Sequence, residues 1–237
     1  MWFLINPYQF AAAWPSNWLL TSLVSYWKCD TNGSFPDAHW SNTGTINGAT
    51  YTASWKINWA YDYDWVNDYI STADIDLWLS WAAFSINIWF KHDESSISSR
   101  VLIQKWTSWS NNAIPYSLSI RNSSWLKISL IIWTWSSNFQ AFWTTTLTQW
   151  QWYMATLVRS GTSYKVFLDW DTVTPDISTT SSLSPYNTAD TLNIWRWWAY
   201  YKWTIDEVGV WDTALTDEQV ESLYNSSSWL SYDSFTT

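Results

Sequence analysis

The sequence predicts an all-β domain, a two-sheet antiparallel jelly-roll sandwich with one short helix near its C-terminus. Three observations predict this fold: apolar and polar residues alternate along several segments, polar loops separate those segments at sandwich spacing, and a single helix-capping motif follows them. A length of 237 residues suits one such domain with short tails. We expect an N-terminal leader over residues 1–20, the sandwich over 21–226 and a C-terminal tail over 227–237.

The strands are predicted by alternation. In FSINIWFK (84–91) and in LKISLII (126–132) every second residue is apolar, which indicates half-buried strands of an antiparallel sheet. Together with further runs, these segments predict about ten strands. The further runs are VLIQK (101–105), YSLSI (116–120), WYMATLV (152–158), YKVFL (164–168), TLNI (191–194) and IDEVGVW (205–211).

The helix is predicted by a capping box that begins at Thr216 and ends at Gln219. Two acidic residues stand in the first turn, where they suit the positive end of the helix dipole, and Val220 and Leu223 follow at helical spacing. We therefore expect a short helix at the periphery of the sandwich.

Charge and hydropathy exclude two classes of partner. The net charge is -9 and the few Lys and Arg residues are scattered, so the basic surface that nucleic acid requires is missing. No apolar run approaches the roughly 20 residues of a membrane helix, so we expect no membrane insertion. The single Cys29 excludes an internal disulfide, and two distant histidines offer no Cys/His zinc site.

Tryptophan is overabundant and glycine is scarce. The chain has 26 Trp and 5 Gly, whereas ordinary usage of about 7% would give roughly 17 Gly. Trp170 follows the strand YKVFL between two aspartates, where a hairpin favours glycine because the turn requires positive φ. Further tryptophans stand in Ser/Thr/Asn-rich loops, where glycine is the usual residue. They are Trp106, Trp109, Trp125, Trp135 and Trp229.

We hypothesise that the gene belongs to a lineage that reads UGA as glycine, so that most of these tryptophans are glycine in the natural product. The alternative is a protein that is rich in tryptophan. The hypothesis predicts exposed side chains at Trp109, Trp125 and Trp170, and buried ones at Trp27 and Trp152. The tryptophans at strand positions that suit an aromatic residue are expected to be genuine. They are Trp27, Trp89, Trp152 and Trp211.

The order of segments resembles a LamG-like jelly-roll domain of the concanavalin A-like lectin/glucanase superfamily. The resemblance covers roughly residues 20–225, and LNIWRWWAYYKWTIDEVGVWDTALTDEQVESLY (192–224) is its most specific part. It implies tryptophan at Trp27, Trp152 and Trp211. The positions at which it implies glycine are Trp65, Trp150, Trp170, Trp195, Trp197, Trp198 and Trp203. The opening MWFLINPYQFAAA resembles the leader of some phage virion proteins, which implies a tail or capsid decoration protein.

Two groups of residues are candidates for binding. Jelly rolls of this type bind ligands through rim loops or the concave sheet, by aromatic stacking and short polar side chains. Tyr200 and Tyr201 are the aromatic candidates, and Asn67 and Asp68 in the turn WVNDY are the polar ones. Packing is the alternative role for each of them.

Asp206 is the candidate metal ligand. It has the parity of Val208 and Val210, so we expect it to point inward, where a buried carboxylate needs hydrogen bonds or a cation. The resemblance implies a structural Ca2+ held by a late-strand aspartate with loop carbonyls, which would suit Asp206 joined by Asp30. The equal alternative is that Asp206 accepts backbone N–H groups from a neighbouring loop.

The acidic residues do not predict catalysis. Retaining glycosidases need two carboxyl groups about 5–5.5 Å apart, whereas Asp206 and Glu207 should point to opposite faces of their strand. We expect a non-catalytic carbohydrate or cell-surface binding module, extracellular or on a virion surface, with a glycan or host cell-surface ligand as partner. The first alternative is a structural virion decoration domain that contacts other virion proteins, and the second is a glycan-cleaving hydrolase.

Overall fold

The structure is a computed structural model that contains two antiparallel sheets and two short α-helices in the part of the chain that it describes. The described residues are 18–53, 56–64, 66–72, 74–75, 83–93, 99–105, 116–122, 126–133, 138–142, 146–169, 177–180, 191–194, 203–225, 228 and 230–236.

The first sheet has eight strands among the described residues. They are β1 (Leu23–Trp27), β3 (Thr50–Thr52), β4 (Ala60–Tyr63), β6 (Ala83–His92), β11 (Trp152–Ser160), β12 (Ser163–Leu168), β13 (Ile177–Thr180) and β15 (Trp203–Trp211). Their order is β13-β12-β11-β6-β15-β4-β3, and β1 pairs with the second half of β15 beyond the end of β4.

The second sheet has seven strands by the same description. They are β2 (Thr45–Asn47), β5 (Tyr69–Ser71), β7 (Ser99–Lys105), β8 (Tyr116–Asn122), β9 (Leu126–Trp133), β10 (Asn138–Phe142) and β14 (Leu192–Ile194). Their order is β10-β9-β8-β7-β14-β5-β2. Every run that was predicted as a strand is one, and the predicted two-sheet sandwich is confirmed. Short strands near the N-terminus account for most of the additional strands.

The inner core lies between the two sheets and follows the predicted alternation. Phe84, Ile86, Ile88 and Phe90 of β6 are all at most 1% exposed and belong to this core. The second sheet contributes alternate residues in the same way, for example Leu118 of β8. The period of two along each strand therefore places one apolar face of each sheet against the other.

The outer face of the first sheet is buried as well, so the prediction of half-buried strands is wrong for this sheet. Trp89 of β6 and Met154 of β11 point away from the inner core and belong to a second, outer core. Three segments contribute to that core: helix α1 (Trp18–Thr21), helix α2 (Asp217–Tyr224) and a 3-10 helix (Tyr232–Thr236) with its preceding residues. The large apolar side chains on this face require such a cover.

After β15 the chain forms the predicted helix α2 and a tail that packs back on the sandwich. The Thr216 hydroxyl accepts the Gln219 N–H and the Gln219 side chain accepts the Thr216 N–H, so the predicted capping box begins α2. Within the predicted tail, Phe235 is fully buried and packs edge-on against Tyr26, with ring centroids 5.3 Å apart.

The described tryptophans divide by backbone and burial. Trp27, Trp89 and Trp211 are at most 1% exposed, as expected of genuine tryptophans, whereas Trp152 is only half-buried. Trp150 is 65% exposed and has φ +63°, a conformation that favours glycine. Trp203 differs from the glycine that the resemblance implies, because it is a buried residue of β15. Trp109, Trp125 and Trp170 lie outside the described residues.

Candidate functional site

A β-bulge in β15 determines where Asp206 points. Asp206 pairs with Trp89 and Val208 pairs with Ile88, so Glu207 is an extra residue between them, and its φ is +46°. Because Asp206 faces the same side as Trp89, it lies on the outer face of the first sheet, and the prediction that it shares the inward face of Val208 is wrong. The bulge breaks the parity on which that prediction depended.

Asp206 holds the backbone of a neighbouring segment. Its Oδ2 accepts the N–H groups of Lys56 at 3.0 Å and Ile57 at 2.8 Å. This is the alternative that the sequence left open. Burial raises the pKa of Asp206 well above its usual range, and the two backbone N–H groups oppose that shift.

Asp30 holds the next two residues of the same segment. Its Oδ1 accepts the Trp59 N–H at 3.3 Å, and its Oδ2 accepts the Asn58 side-chain amide at 3.3 Å. The Lys28 ammonium lies 3.6 Å from the same Oδ2. The two aspartates that were predicted to share a metal therefore both accept hydrogen bonds from the segment 56–59.

Glu207 completes a group of buried acids at the bulge. It is fully buried, and burial followed by the charge of Asp206 raises its pKa well above the usual range. Both of its carboxylate oxygens and Oδ1 of Asp206 lack a partner within 3.5 Å, although the Tyr26 hydroxyl lies near enough to Glu207 to oppose the rise in its pKa. The sequence did not indicate Glu207, because a left-handed glutamate in a strand leaves no signature in the residue pattern.

The fit of these residues to calcium is incomplete. Three buried carboxylate oxygens are available, and oxygen is the donor that Ca2+ prefers. However, the described residues contain no group of three or more Asp, Glu, His or Cys side chains arranged to hold a metal, while Ca2+ takes six to eight oxygen ligands. A calcium ion here would depend on carbonyl or water oxygens for most of its ligands, and its presence stays a prediction.

The predicted rim residues are divided between surface and interior. Asn67 is exposed, whereas Asp68 is 3% exposed and its Oδ2 accepts the Asp64 N–H at 2.6 Å. The other Asp68 oxygen faces Gly48, which has φ +80° and leaves no room for a Cβ. Asn67 therefore presents its side chain to solvent, and Asp68 stabilises the turn. Tyr200 and Tyr201 lie outside the described residues, and the binding roles of all four stay predictions.

A surface cleft that the sequence did not indicate lies at the start of helix α2. We call it the α2 cleft. It has a volume of about 370 Å3 and is open to solvent. Val158, Ser160, Ser163 and Lys165 of the β11–β12 hairpin line one side, and residues 214–218 line the other. Val158 pairs with Lys165 and Ser160 with Ser163 across the hairpin, so the four side chains share the outer face of the first sheet.

An ion pair joins the two sides of the α2 cleft. The Lys165 ammonium donates to Asp217 Oδ1 at 2.6 Å, and both side chains remain partly exposed. These two residues are 52 positions apart in sequence. The strand order β12-β11-β6-β15 brings the hairpin next to the start of α2, which follows β15. Residue patterns within single segments therefore did not reveal the cleft.

The family of the chain is shown by a sequence comparison. Residues 64–221, well over half of the chain, match Laminin_G_3 of the concanavalin A-like lectin/glucanases superfamily. The chain therefore belongs to this family. No protein of curated function matches it. Among the described residues, no helix has the length and apolarity that a membrane crossing requires.

Solved structures share the fold at low sequence identity. A botulinum neurotoxin DC binding domain in complex with rat synaptotagmin II is 11% identical with a TM-score of 0.72, and covers 87% of this chain. The same binding domain in complex with SialylT is 11% identical with a TM-score of 0.71, and covers 88%. The binding domain of Paraclostridial Mosquitocidal Protein 1 is also 11% identical, with a TM-score of 0.70 and 88% coverage. The chain spans only 52–53% of each of these structures.

Proposed function

We propose that the chain is a non-catalytic module that binds a glycan or another cell-surface ligand outside the cell. The observation that carries this proposal is the two-sheet sandwich of the described residues in a chain of the concanavalin A-like lectin/glucanases superfamily. The similar structures add support, since the botulinum neurotoxin DC binding domain was solved in complex with SialylT and with rat synaptotagmin II. A further similar structure belongs to botulinum neurotoxin type C, whose cell entry depends on interaction with two ganglioside molecules. Because the chain spans about half of those structures, their ligands guide the choice of probes only.

The acids at the bulge, on β4 and in the turn that follows β4 are buried or bonded within the fold, which favours binding over catalysis at these positions. Asp206 and Glu207 are fully buried, out of reach of a polysaccharide. Asp62 accepts a hydrogen bond from the Thr204 hydroxyl at 2.6 Å, and the Asp68 carboxylate accepts one from the Asp64 backbone N–H in the same turn. A glycosidase needs an acid and a second carboxylate that both reach the substrate.

A glycan array tests the function directly. We expect the purified chain to bind a subset of glycans with calcium or with a chelator present. Binding to none under either condition would contradict the proposal and favour a structural role in protein–protein contacts. Release of reducing sugar from a bound polysaccharide would instead establish the hydrolase alternative.

We propose a virion surface as the setting of this binding. The support is the resemblance of the opening segment to phage virion leaders, and those residues lie outside the described part of the chain. The genes beside the coding sequence are the test. Tail, portal or capsid genes are expected there, and a neighbourhood without any of them would contradict the setting.

We propose calcium as a stabiliser of the bulge, supported by the three unused oxygens of Asp206 and Glu207. If it binds, 100-fold excess over the dissociation constant should stabilise the fold by about 2.7 kcal/mol. Thermal unfolding with calcium or with EGTA measures this, with Glu207→Gln as the test variant and the exposed Asp212→Asn as control. Equal midpoints for the unsubstituted chain in both buffers would refute calcium.

We propose that glycine occupies most of the loop tryptophan positions in the natural product. The support is Trp150, a solvent-exposed residue held at φ +63°. Intact mass spectrometry of the native protein is the decisive measurement, and a mass that matches 26 tryptophans would refute the proposal.

A further inference from the structure

We infer that the α2 cleft binds the ring of a neutral, hydroxyl-rich sugar. This inference rests on the proposed glycan-binding function and names its site and its class of ligand. It is argued from four properties of the cleft: its size, its apolar floor, its hydroxyl groups and its charge.

The size and floor of the cleft suit one or two sugar rings. Its volume of about 370 Å3 lies near the lower end of the roughly 300–1,000 Å3 typical of small-molecule sites. Val158 and Leu215 are 4% and 3% exposed and belong to the outer core, so the base of the cleft is both apolar and firmly packed. The C–H face of a sugar ring can pack on such a surface.

The polar walls offer donors and acceptors together. Ser160 and Ser163 each carry a hydroxyl that can donate and accept, and the Thr216 hydroxyl, which accepts the Gln219 N–H, lies in the opposite wall. The Lys165–Asp217 ion pair fixes an ammonium with further N–H groups beside a carboxylate with further lone pairs. Sugar hydroxyls donate and accept in the same mixed way, so they can satisfy both kinds of group at once.

The charge of the cleft disfavours acidic sugars. Asp217 pairs with Lys165, and Glu218 adds a second carboxylate beside this one cation, so the described lining of the cleft carries a net negative charge. The first turn of α2 already stabilises the charged form of Glu218, because the Glu218 N–H, the Thr216 hydroxyl and Lys165 lower the pKa of its carboxyl. A sialylated or sulfated glycan would bring like charges together without a free cation to receive them.

Titration calorimetry with lactose, maltose and sialyllactose, followed by the best binders of the glycan array, tests the inference. Ser160→Phe fills the mouth of the cleft, and Thr162→Phe is the matched control on the exposed turn of the same hairpin. Glu218→Gln removes a lining carboxylate, and Glu221→Gln removes an exposed one a turn further along the helix. Unfolding midpoints of all four variants verify that each is folded.

We expect Ser160→Phe to weaken neutral-sugar binding at least about tenfold and Glu218→Gln about three- to tenfold, with both controls within about twofold. Glycan binding that is unchanged in both cleft variants overturns the site but leaves the proposed function intact. Tighter binding of sialyllactose than of neutral sugars overturns the ligand class. Failure of every glycan overturns the glycan-binding part of the proposed function, and this inference with it. If Ser160→Phe does not fold, the comparison of Glu218→Gln with Glu221→Gln decides the site.

Discussion

The backbone at Trp150 allows the conformational argument for glycine at this position to be tested by stability alone. Trp150 precedes β11 in a turn, its N–H donates to the His92 carbonyl at 2.7 Å, and its φ is +63°. Trp40 is similarly exposed, 69% against 65%, but its φ is not positive. The two positions therefore differ chiefly in backbone conformation, and each can be replaced by glycine and by alanine. Both replacements remove the indole, so their difference reports the backbone.

The expected difference has opposite signs at the two positions. At Trp150, the left-handed conformation should cost alanine about 1–2 kcal/mol more than glycine. At Trp40, alanine should be the more stable by about 0.5–1 kcal/mol, because glycine loses more backbone entropy on folding. The preference for glycine should thus change by about 2 kcal/mol between the two sites. Neither replacement alters the bond to His92, since that bond uses the backbone N–H.

Urea denaturation followed by far-ultraviolet circular dichroism measures all four variants. For a chain of this size, 1 kcal/mol corresponds to about 2–4 °C in thermal midpoint, so thermal scans provide a second readout. Alanine that equals or exceeds glycine in stability at Trp150 would refute the backbone argument. A preference for glycine at Trp40 would also refute it, because the effect would then not depend on φ.

Three further predictions concern the stability of single elements. Asp206→Ala should lower the free energy of unfolding in urea by about 2–3 kcal/mol, because it leaves the partly buried N–H groups of Lys56 and Ile57 without an acceptor. Asp206→Asn should cost less, and equal losses in the two variants would contradict this reason. Burial raises the pKa of Asp169 from 3.8 to about 6, because the folded state favours the protonated carboxyl. The stability that this protonation contributes is complete below pH 4 and is lost as the pH rises through 6. The unsubstituted chain should therefore lose up to about 3 kcal/mol relative to Asp169→Asn between pH 4 and pH 7, and parallel pH profiles would refute this. Thr216→Ala should cost about 1 kcal/mol through the lost cap of α2, and an unchanged urea midpoint would show that the cap is dispensable.

The sequence predicted those parts of the fold that depend on local pattern. Alternation over 84–91 determines which side chains of β6 enter the inner core, and the capping box determines where α2 begins. The cover of the outer face was not predicted, because Trp89 and Met154 point to a layer built from both ends of the chain. Such long-range packing leaves only a weak trace in any single segment.

The sequence predicted less of the candidate site than of the fold. The sequence grouped Asp206 and Asp30 as ligands of one metal, which stays a prediction, while the structure shows both of them binding amides of the segment 56–59. The outward direction of Asp206 was missed because Glu207 adopts a left-handed conformation. Parity arguments hold only while a strand remains regular, and the bulge at Glu207 lies where β15 changes partner from β4 to β1.

The proposed sugar site and the proposed glycine positions are independent of each other. The described residues that line the α2 cleft include no tryptophan, so the walls and charge they form do not depend on which residue the natural product carries at the loop tryptophans. A lectin of this fold would ordinarily be sought by its exposed aromatic side chains, and a chain with 26 tryptophans offers many of them. If those indoles are glycines, aromatic stacking cannot be the main source of affinity. A cleft with an apolar floor of Val158 and Leu215 and walls of hydroxyl and paired charged groups then supplies what stacking would otherwise provide.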